Sequence, residues 1–444
     1  MVTDIGFKHI NKLAIPALIS GISEPILSIT DTAIVGNVFI NATEALAAVG
    51  IVGTFISMLI WVLGQTRSAI SSIVSQYVGA QNIDAIKNLP AQAIFIVTAL
   101  SLLIIIVTYP LTNAIFTLYN ASNLILEYCS TYYKIRVFGF PFTLFTMAVF
   151  GTFRGLQNTF YPMIIAIIGA VLNIILDIIL VYGVEDFIPA MHIKGAAYAS
   201  FIAQFVMALL SVYFLLKKTS ISLKFSLPFN KEIERFVLMV LNLFVRTLAL
   251  NATLYFATRF ATGYGSAYIA AYTIAINLWF FCAFFIDGYA SAGNILSGKL
   301  LGAKAYKTLL TLSNKLIRYG IILGIILALL GFIFYYPIGN MFSNDPLVLN
   351  LFYQVFWIVL TMQPLCALAF IFDGMFKGLG RMRFLRNILL FSTFIVFIPI
   401  LFSLDAIGFK LEGIFITLSI WMMARGLPLI IKFRKTFIPL SQNL

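Results

Sequence analysis

The feature that most constrains this chain is its long succession of apolar stretches, each about as long as a bilayer is thick. They recur through all 444 residues, of which 61% are hydrophobic and only 10% are charged. A transmembrane helix needs roughly 20 mostly apolar residues, and a soluble domain of this size needs far more surface charge. The strands of a β-barrel alternate apolar and polar residues, whereas residues 100–107 are almost all apolar. We therefore predict an all-α polytopic membrane protein.

Twelve transmembrane helices are predicted from these apolar windows. Several windows are longer than a simple span, which indicates tilt or extension into the interface. The predicted ranges are 13–38, 46–78, 89–116, 125–153, 162–183, 195–217, 233–262, 267–300, 309–342, 347–377, 387–404 and 412–433.

Basic and acidic residues fall on opposite sides of this predicted arrangement. Lysine and arginine are concentrated in alternate connections, above all in the segment 217–235, whereas Glu44, Glu127 and Asp345 lie in the other connections. Because Lys and Arg mark the cytoplasmic side, both termini are predicted to be cytoplasmic, which agrees with an even number of helices. The net charge of +13 is therefore interpreted as a topology signal, and no nucleic-acid partner is expected.

The two halves of the chain resemble each other at a constant offset of 223 residues. The segments 46–48, 79–80 and 151–156 correspond to 269–271, 302–303 and 374–379. A shared offset at three places indicates duplication of a six-helix unit. We predict an N-terminal lobe at 1–220 and a C-terminal lobe at 221–444. Two six-helix lobes would be related by a pseudo-twofold axis along the membrane normal, with a central cleft between them.

Four oxygen-bearing side chains lie deep in the apolar sequence of the first half. A carboxylate in hydrocarbon costs at least ~2.5 kcal/mol, so each acid needs a reason to be there. Asn173 and Asp177 are four residues apart and therefore share one helix face. Hard oxygen ligands suit a small hard cation such as Na⁺, or a proton shared between coupled acids. We predict a cation or proton site made by Asp31, Asn173, Asp177 and Ser200.

Four further residues are predicted to line a substrate cavity or a second path, or to act as a hinge. Glu24 lies two turns before Asp31 near the same helix face, and Pro25 removes a backbone donor from the first helix, so the helix can bend there. In the second half the intramembrane acids are Asp287 and Asp373.

Each of these acids has an alternative interpretation as a buried carboxylate paired with a base for folding. The candidate counter-ions are Lys134, Arg136, Arg246 and Arg259.

Several other kinds of chemistry are disfavoured. The scattered residues Cys129, Cys282 and Cys366 fit neither a disulfide framework nor a metal site. A Walker-type lysine loop and a hydrolase triad are absent from the sequence, so ATP is not the expected energy source. We expect no cofactor other than the coupling ion.

An ordered set of segments resembles the multidrug and toxic compound extrusion (MATE) family, and within it the DinF-like branch. The segments are 30–36, 45–50, 76–80, 153–158, 173–177 and 194–197. The resemblance implies a bacterial inner-membrane protein that exports organic compounds in exchange for H⁺ or Na⁺. It also implies a cation or proton site at Asp31, Asn173, Asp177 and Ser200, with Asn158 in the same polar network. Glu24 departs from the neutral polar residue expected there.

Two alternatives to such an antiporter stay open at this point. A related superfamily branch flips lipid-linked oligosaccharides, but it usually needs a strongly basic central cavity. A membrane-embedded transferase would need a catalytic group near a membrane face, and His9 and His192 are predicted on opposite sides. The expected partners are small organic substrates of a cationic or amphiphilic class, and membrane lipid. We expect a monomer.

Overall fold

The computed structural model describes residues 5–36, 41–121, 123–184 and 187–442, except the side chains at 23–25, 27–29, 32 and 42. Eighteen α-helices form the framework of these residues. They are α1 Phe7–Val35, α2 Ala42–Leu63, α3 Thr66–Gly79, α4 Leu89–Thr108, α5 Thr112–Leu118, α6 Asn123–Arg136, α7 Phe140–Gly155, α8 Phe160–Tyr182, α9 Ile193–Lys218, α10 Glu232–Gly263, α11 Ser266–Gly302, α12 Tyr306–Ile333, α13 Tyr335–Phe342, α14 Pro346–Thr361, α15 Gln363–Gly378, α16 Met382–Phe391, α17 Ile398–Ala406 and α18 Leu411–Gln442.

These helices account for the twelve predicted spans. Within the described ranges, ten spans are long and apolar enough to cross a membrane, and the bent pair α14–α15 makes an eleventh. Helix α1, 29 residues long, precedes them. Four spans consist of two consecutive helices, namely α2–α3, α6–α7, α14–α15 and α16–α17, the last pair joined by a π-helical turn at Ser392–Phe397. The prediction of an all-α protein with twelve transmembrane helices is confirmed.

Two predicted helices were too long. The predicted helix at 89–116 is divided into α4 and α5, because Pro110 has no backbone donor and restricts the residue before it. The predicted helix at 309–342 is divided into α12 and α13 at Phe334. Pro337 lies in the first turn of α13, where its missing donor would interrupt a continuous helix.

The chain forms two compact units that are not contiguous in sequence. The N-terminal unit contains Ile19–Val74 and Asn82–Val237, and the C-terminal unit contains Met1–Leu18, Ser75–Gln81 and Leu238–Leu444. The predicted lobes at 1–220 and 221–444 follow the same order along the chain. The start of α1 and the end of α3 nevertheless belong to the C-terminal unit, which no sequence boundary indicates.

The duplication extends to the bends in the helices. Pro141 is the second residue of α7 and Pro364 is the second residue of α15, and they are 223 residues apart. Each proline follows a break in its span, because it cannot donate to the preceding turn. Helices α14 and α15 are bent by 50° at this break.

Glycines let α7 approach the backbone of α3 in the N-terminal unit. A Cβ atom on Gly151 would lie 2.6 Å from the carbonyl oxygen of Arg67, and one on Gly155 would lie 3.2 Å from that of Ser71. Since neither distance leaves ordinary van der Waals room for a side chain, the contact requires glycine. Small residues at four-residue spacing are how membrane helices pack closely.

The C-terminal unit repeats this contact between α15 and α11. A Cβ atom on Gly374 would collide with the carbonyl oxygen of Ala290, and one on Gly378 with that of Asn294. All four residues lie 223 positions after their counterparts in the N-terminal unit. The sequence repeat is therefore a repeat of backbone packing.

The ends of α3 and α11 cross at a third pair of glycines, both within the C-terminal unit. A Cβ atom on Gly79 would collide with the carbonyl oxygen of Lys299, and one on Gly302 with that of Gln76. The Gln76 side chain also donates to the carbonyl oxygen of Gly378, at 2.8 Å. Each helix end thus packs its glycine against the backbone of the other.

Candidate functional site

Asp31 is the centre of a buried polar cluster in the N-terminal unit. Its Oδ2 atom accepts hydrogen bonds from the Tyr132 hydroxyl at 3.0 Å and the Ser200 hydroxyl at 2.9 Å. The Arg136 guanidinium donates to the same oxygen and forms an ion pair with it. Asp31 is only 1% exposed, so these donors replace the water that a carboxylate would otherwise bind.

Arg136 links the other members of the cluster. Its Nη1 atom also contacts the Tyr132 oxygen at 2.8 Å and the Ser200 oxygen at 2.6 Å. Tyr132 and Arg136 are four residues apart on α6, so both project from one face. Helix α6 therefore supplies a tyrosine and an arginine to the acid on α1.

Helices α8 and α9 form the other wall. Asn173 donates from Nδ2 to the Ser200 hydroxyl at 3.3 Å. The approach of the two helices depends on Gly195, because a Cβ atom there would collide with the backbone of Leu180. Close packing of α8 and α9 places Ser200 beside Asn173.

Asp177 completes the cluster next to Asp31. It is 0% exposed, and neither of its carboxyl oxygens has a protein donor among the described residues. Its side chain lies beside Asp31, close enough for the two carboxyl groups to interact electrostatically. Two carboxylates offer only acceptors, so a hydrogen bond between them requires a proton.

The structure brings together all four residues of the predicted cation or proton site. Asp31, Asn173, Asp177 and Ser200 lie in one cluster, although the sequence separates them by up to 169 residues. Whether they bind a cation stays a prediction.

Asn158 is not placed in this cluster. Its Oδ1 atom accepts from the backbone N–H groups of Phe160 and Tyr161, at 3.0 and 3.4 Å. These groups lie in the first turn of α8 and have no partner within that helix. Asn158 thus caps a helix, and its part in the cation or proton network stays a prediction.

The predictions for Glu24 and Pro25 stay open. Helix α1 continues through both positions, but their side chains lie outside those that the structure describes. Their roles as cavity lining and hinge therefore stay predictions.

Sequence reasoning missed the contribution of α6. Arg136 was named only as a candidate counter-ion, and Tyr132 was not named. The four-residue spacing of Tyr132 and Arg136 predicts a shared helix face, but it does not show that this face meets Asp31. Of the other candidate bases, Arg246 also forms an ion pair, whereas Lys134 and Arg259 form none with the described residues.

The acids of the C-terminal unit have different environments. Asp373 is buried in an ion cluster with Arg246, at 2.5 Å, and Lys377, at 3.0 Å. Asp287 is exposed on α11. The two acids therefore do not form a joint site like that of Asp31 and Asp177. Their assignment to a cavity or path stays a prediction.

No group of three or more His, Cys, Asp or Glu residues in the described parts of the chain is arranged to hold a metal ion. The three cysteines are buried and unbridged. Cys129, Cys282 and Cys366 are thus small buried side chains of the core.

Comparison with known proteins identifies the family. The model of the MatE family matches residues 16–179 and 243–402, once in each half of the chain. The DNA damage-inducible protein F of Escherichia coli is 25% identical over 434 residues, covering 96% of this chain and 92% of that protein. The multidrug export protein MepA of Staphylococcus haemolyticus is 23% identical over 423 residues, covering 93% and 90%.

A solved MATE transporter in its bent conformation has the same fold. It superposes with a TM-score of 0.91 at 20% identity, covering 98% of this chain and 96% of that one. The expected resemblance to the DinF-like branch agrees with the relative from E. coli. The predicted assignment to a membrane transporter and not an enzyme is confirmed. This twelve-helix protein, with one family match in each half, belongs to the MatE family of transporters.

Proposed function

We propose that this protein exports organic compounds in exchange for protons, and that the proton binds between Asp31 and Asp177. The observation that carries the proposal is the burial of these two carboxyl groups together, with Arg136 paired to Asp31 and no protein donor to Asp177 among the described residues. The relatives support the export of organic compounds, since one is named a multidrug export protein and another a probable multidrug resistance protein.

The charges in the cluster require one further positive charge. Asp31 and Asp177 carry two negative charges when ionised, and Arg136 carries one positive charge. A net charge is costly at a site with almost no exposed surface. One proton on the acid pair makes the cluster neutral, and it supplies the hydrogen bond that two carboxylates cannot form.

The same geometry favours a proton over Na⁺. The Oδ2 atom of Asp31 already accepts from three donors, and the guanidinium of Arg136 contacts both Asp31 and Ser200. A sodium ion at the four predicted oxygen ligands would lie beside that fixed cation and would be repelled by it. A proton on Asp177 needs neither a coordination shell nor displacement of Arg136.

Proton binding and release then change the stability of the packing around the cluster. Loss of the proton leaves two like charges in contact, which favours separation of α8 from α1 and α6. With Asp31 near the end of α1 and the N-terminus predicted to be cytoplasmic, protons would enter from the outside. Export of a substrate, cationic or amphiphilic in the class first predicted, would proceed by alternating access of the two lobes.

Reconstitution into liposomes with an imposed pH or Na⁺ gradient tests the proposal. We expect a pH gradient to drive movement of the cationic dye rhodamine 6G, and a Na⁺ gradient of equal size to have no effect. Asp31→Asn and Asp177→Asn should abolish pH-driven movement. Asp84→Asn, an exposed acid, is the control and should behave like the wild type. Equal rates in Asp177→Asn and the wild type would contradict the proposal.

A further inference from the structure

Three basic side chains surround a single acid in the C-terminal unit. Asp373 Oδ1 lies 2.5 Å from Arg246 and 3.8 Å from Arg425, and its Oδ2 lies 3.0 Å from Lys377. Helices α10, α15 and α18 supply these residues, and none of the four side chains is more than 15% exposed. This group, Arg246, Asp373, Lys377 and Arg425, is called the basic cluster below.

The basic cluster has more positive charge than its own acid can balance. One carboxylate faces three cations, so the net charge of the four residues is +2. Asp287 also acts electrostatically on Lys377, but it is exposed on α11. Among the described residues, Asp373 is the single carboxylate within ion-pair distance of these bases. Buried charge without a counter-charge is strongly unfavourable.

The arginines of the basic cluster also have unused donors. The Nε atom of Arg246, a residue 6% exposed, has no hydrogen-bond partner among the described residues. Arg425 is 3% exposed, and its Nη1 atom contacts only a weak acceptor, the Met422 sulfur, at 3.8 Å. A guanidinium binds oxyanions through paired donors, so both groups can accept a further anionic ligand.

Aromatic rings flank the same guanidinium. The Arg425 carbon Cζ lies 4.9 Å from the ring centre of Trp421 and 5.4 Å from that of Phe370. Stacking holds the guanidinium in place and leaves its edge for a ligand. Phe370 is partly buried and provides an apolar surface beside the charge, whereas Trp421 is fully buried and supports the guanidinium from the core.

We propose that the basic cluster is an oxyanion subsite, which binds the carboxylate or phosphate group of an amphiphilic compound. Arg425 and Arg246 bind the oxyanion, Lys377 adds charge, and Phe370, which is only partly buried, contacts the apolar part. The assignment of the ligand as cargo rests on the export function proposed above. The binding itself does not, since it needs no ion gradient.

Equilibrium binding to the full-length protein in phosphatidylcholine nanodiscs tests the subsite. The probes are fluorescein, which carries negative charge, and rhodamine 6G, which has the same ring system with positive charge. We expect the wild type to bind fluorescein, and Arg425→Gln to weaken that binding at least tenfold. Rhodamine 6G binding should not weaken in the variant. Arg434→Gln, an exposed arginine on the same helix, is the matched control and should bind fluorescein like the wild type.

A second variant of the basic cluster is available if Arg425→Gln does not fold. Asp373 keeps Arg246 and Lys377 when Arg425 is removed, so Arg425→Gln should fold. If it does not elute as a monodisperse protein, Lys377→Gln replaces it, because Lys377 is the most exposed base of the cluster. It too should weaken fluorescein binding. Unchanged fluorescein affinity in the folded variant, or no fluorescein binding to the wild type, would overturn the proposal.

Two further measurements are needed. One shows whether the natural anion is a lipid or a soluble compound, and the other tests the subsite independently of the proposed function. Phosphatidylglycerol in the nanodisc should displace fluorescein if the natural oxyanion is a lipid phosphate, and should leave its binding unchanged if it is a soluble organic anion. Either result supports the subsite and assigns its source. Asp177→Asn should retain fluorescein binding while losing proton-driven transport. If the wild type binds fluorescein but shows no pH-driven transport, that result contradicts the proposed function and not the subsite.

Discussion

Arg136 gives the two acids of the N-terminal cluster different roles. Asp31 is bound by an arginine, a tyrosine and a serine, whereas Asp177 has no protein donor among the described residues. Asp31 therefore has donors that balance its charge, and the proposed mechanism assigns the exchanged proton to Asp177. The alternative first considered for Asp31, a carboxylate paired with a base, is thus also part of the proposed site.

Replacing Arg136 with glutamine should change the ion selectivity of transport. The variant keeps a hydrogen-bond donor but removes the fixed positive charge, so two negative charges remain to be balanced. We expect proton-driven transport to fall at least tenfold and Na⁺ to bind or to inhibit dye movement. Transport in liposomes with and without Na⁺ measures both effects.

Lys134→Gln is the control for that experiment. Lys134 is exposed on the same helix, so its loss removes a positive charge without changing the cluster. If Na⁺ has as little effect on dye movement in Arg136→Gln as in Lys134→Gln, the guanidinium of Arg136 is not what excludes Na⁺.

Tyr132→Phe should weaken coupling without destroying the site. The change removes a donor to Asp31 and an acceptor for Arg136. Hydrogen bonds to charged groups contribute about 1.5–3 kcal/mol, so we expect the initial rate of pH-driven dye movement to fall roughly tenfold. The adjacent variant Tyr133→Phe, whose hydroxyl contacts Thr108, should keep the wild-type rate. If both variants keep that rate, Tyr132 has no part in coupling.

At the level of helices, the repeat could be found in the sequence, but its physical cause could not. The glycines at 79, 151 and 155 recur 223 residues later because each allows contact with a neighbouring backbone. The spacing of Asn173 and Asp177 predicts a shared face from local geometry alone. The pairing of α6 with α1, by contrast, depends on tertiary packing, so the roles of Tyr132 and Arg136 could not be predicted from spacing within either helix.

Adding a single methyl group at Gly79 should destabilise the protein. The Cβ atom of Gly79→Ala would collide with the carbonyl oxygen of Lys299, which is helix backbone and cannot move alone. Overpacking of this kind costs about 1–3 kcal/mol, so we expect a lower melting temperature of the purified protein.

Gly50→Ala is the control, since nothing lies within 4 Å of its added Cβ atom. Alanine favours helix over glycine, so the control should be neutral or stabilising. Equal melting temperatures in the two variants would contradict the close crossing of α3 and α11.

At the level of the whole molecule, the duplicated units differ in charge. Without a proton, the cluster of the N-terminal unit has one negative charge in excess, while the basic cluster of the C-terminal unit has two positive charges in excess. Duplication preserved the glycines and prolines that set the packing, and the buried charges diverged. The two proposals assign a proton to the first unit and an oxyanion to the second, which are ions of opposite sign.

The membrane orientation of both units is predicted from the distribution of lysine and arginine, and it can be measured directly. The segment at 217–235 is strongly basic and should be cytoplasmic, whereas the connection between α13 and α14 should face outside.

Two variants test this orientation, and each has one cysteine at an exposed position, introduced by Lys218→Cys or by Asn344→Cys. In both variants the three buried cysteines are first replaced with alanine. A membrane-impermeant maleimide added to intact cells should label Asn344→Cys at once, and Lys218→Cys only after permeabilisation. The reverse pattern would place both termini outside and would require protons to reach the Asp31 cluster from the cytoplasm. Because the insertion of an even number of helices per unit gives both units the same orientation, one pair of positions in different units determines the orientation of both.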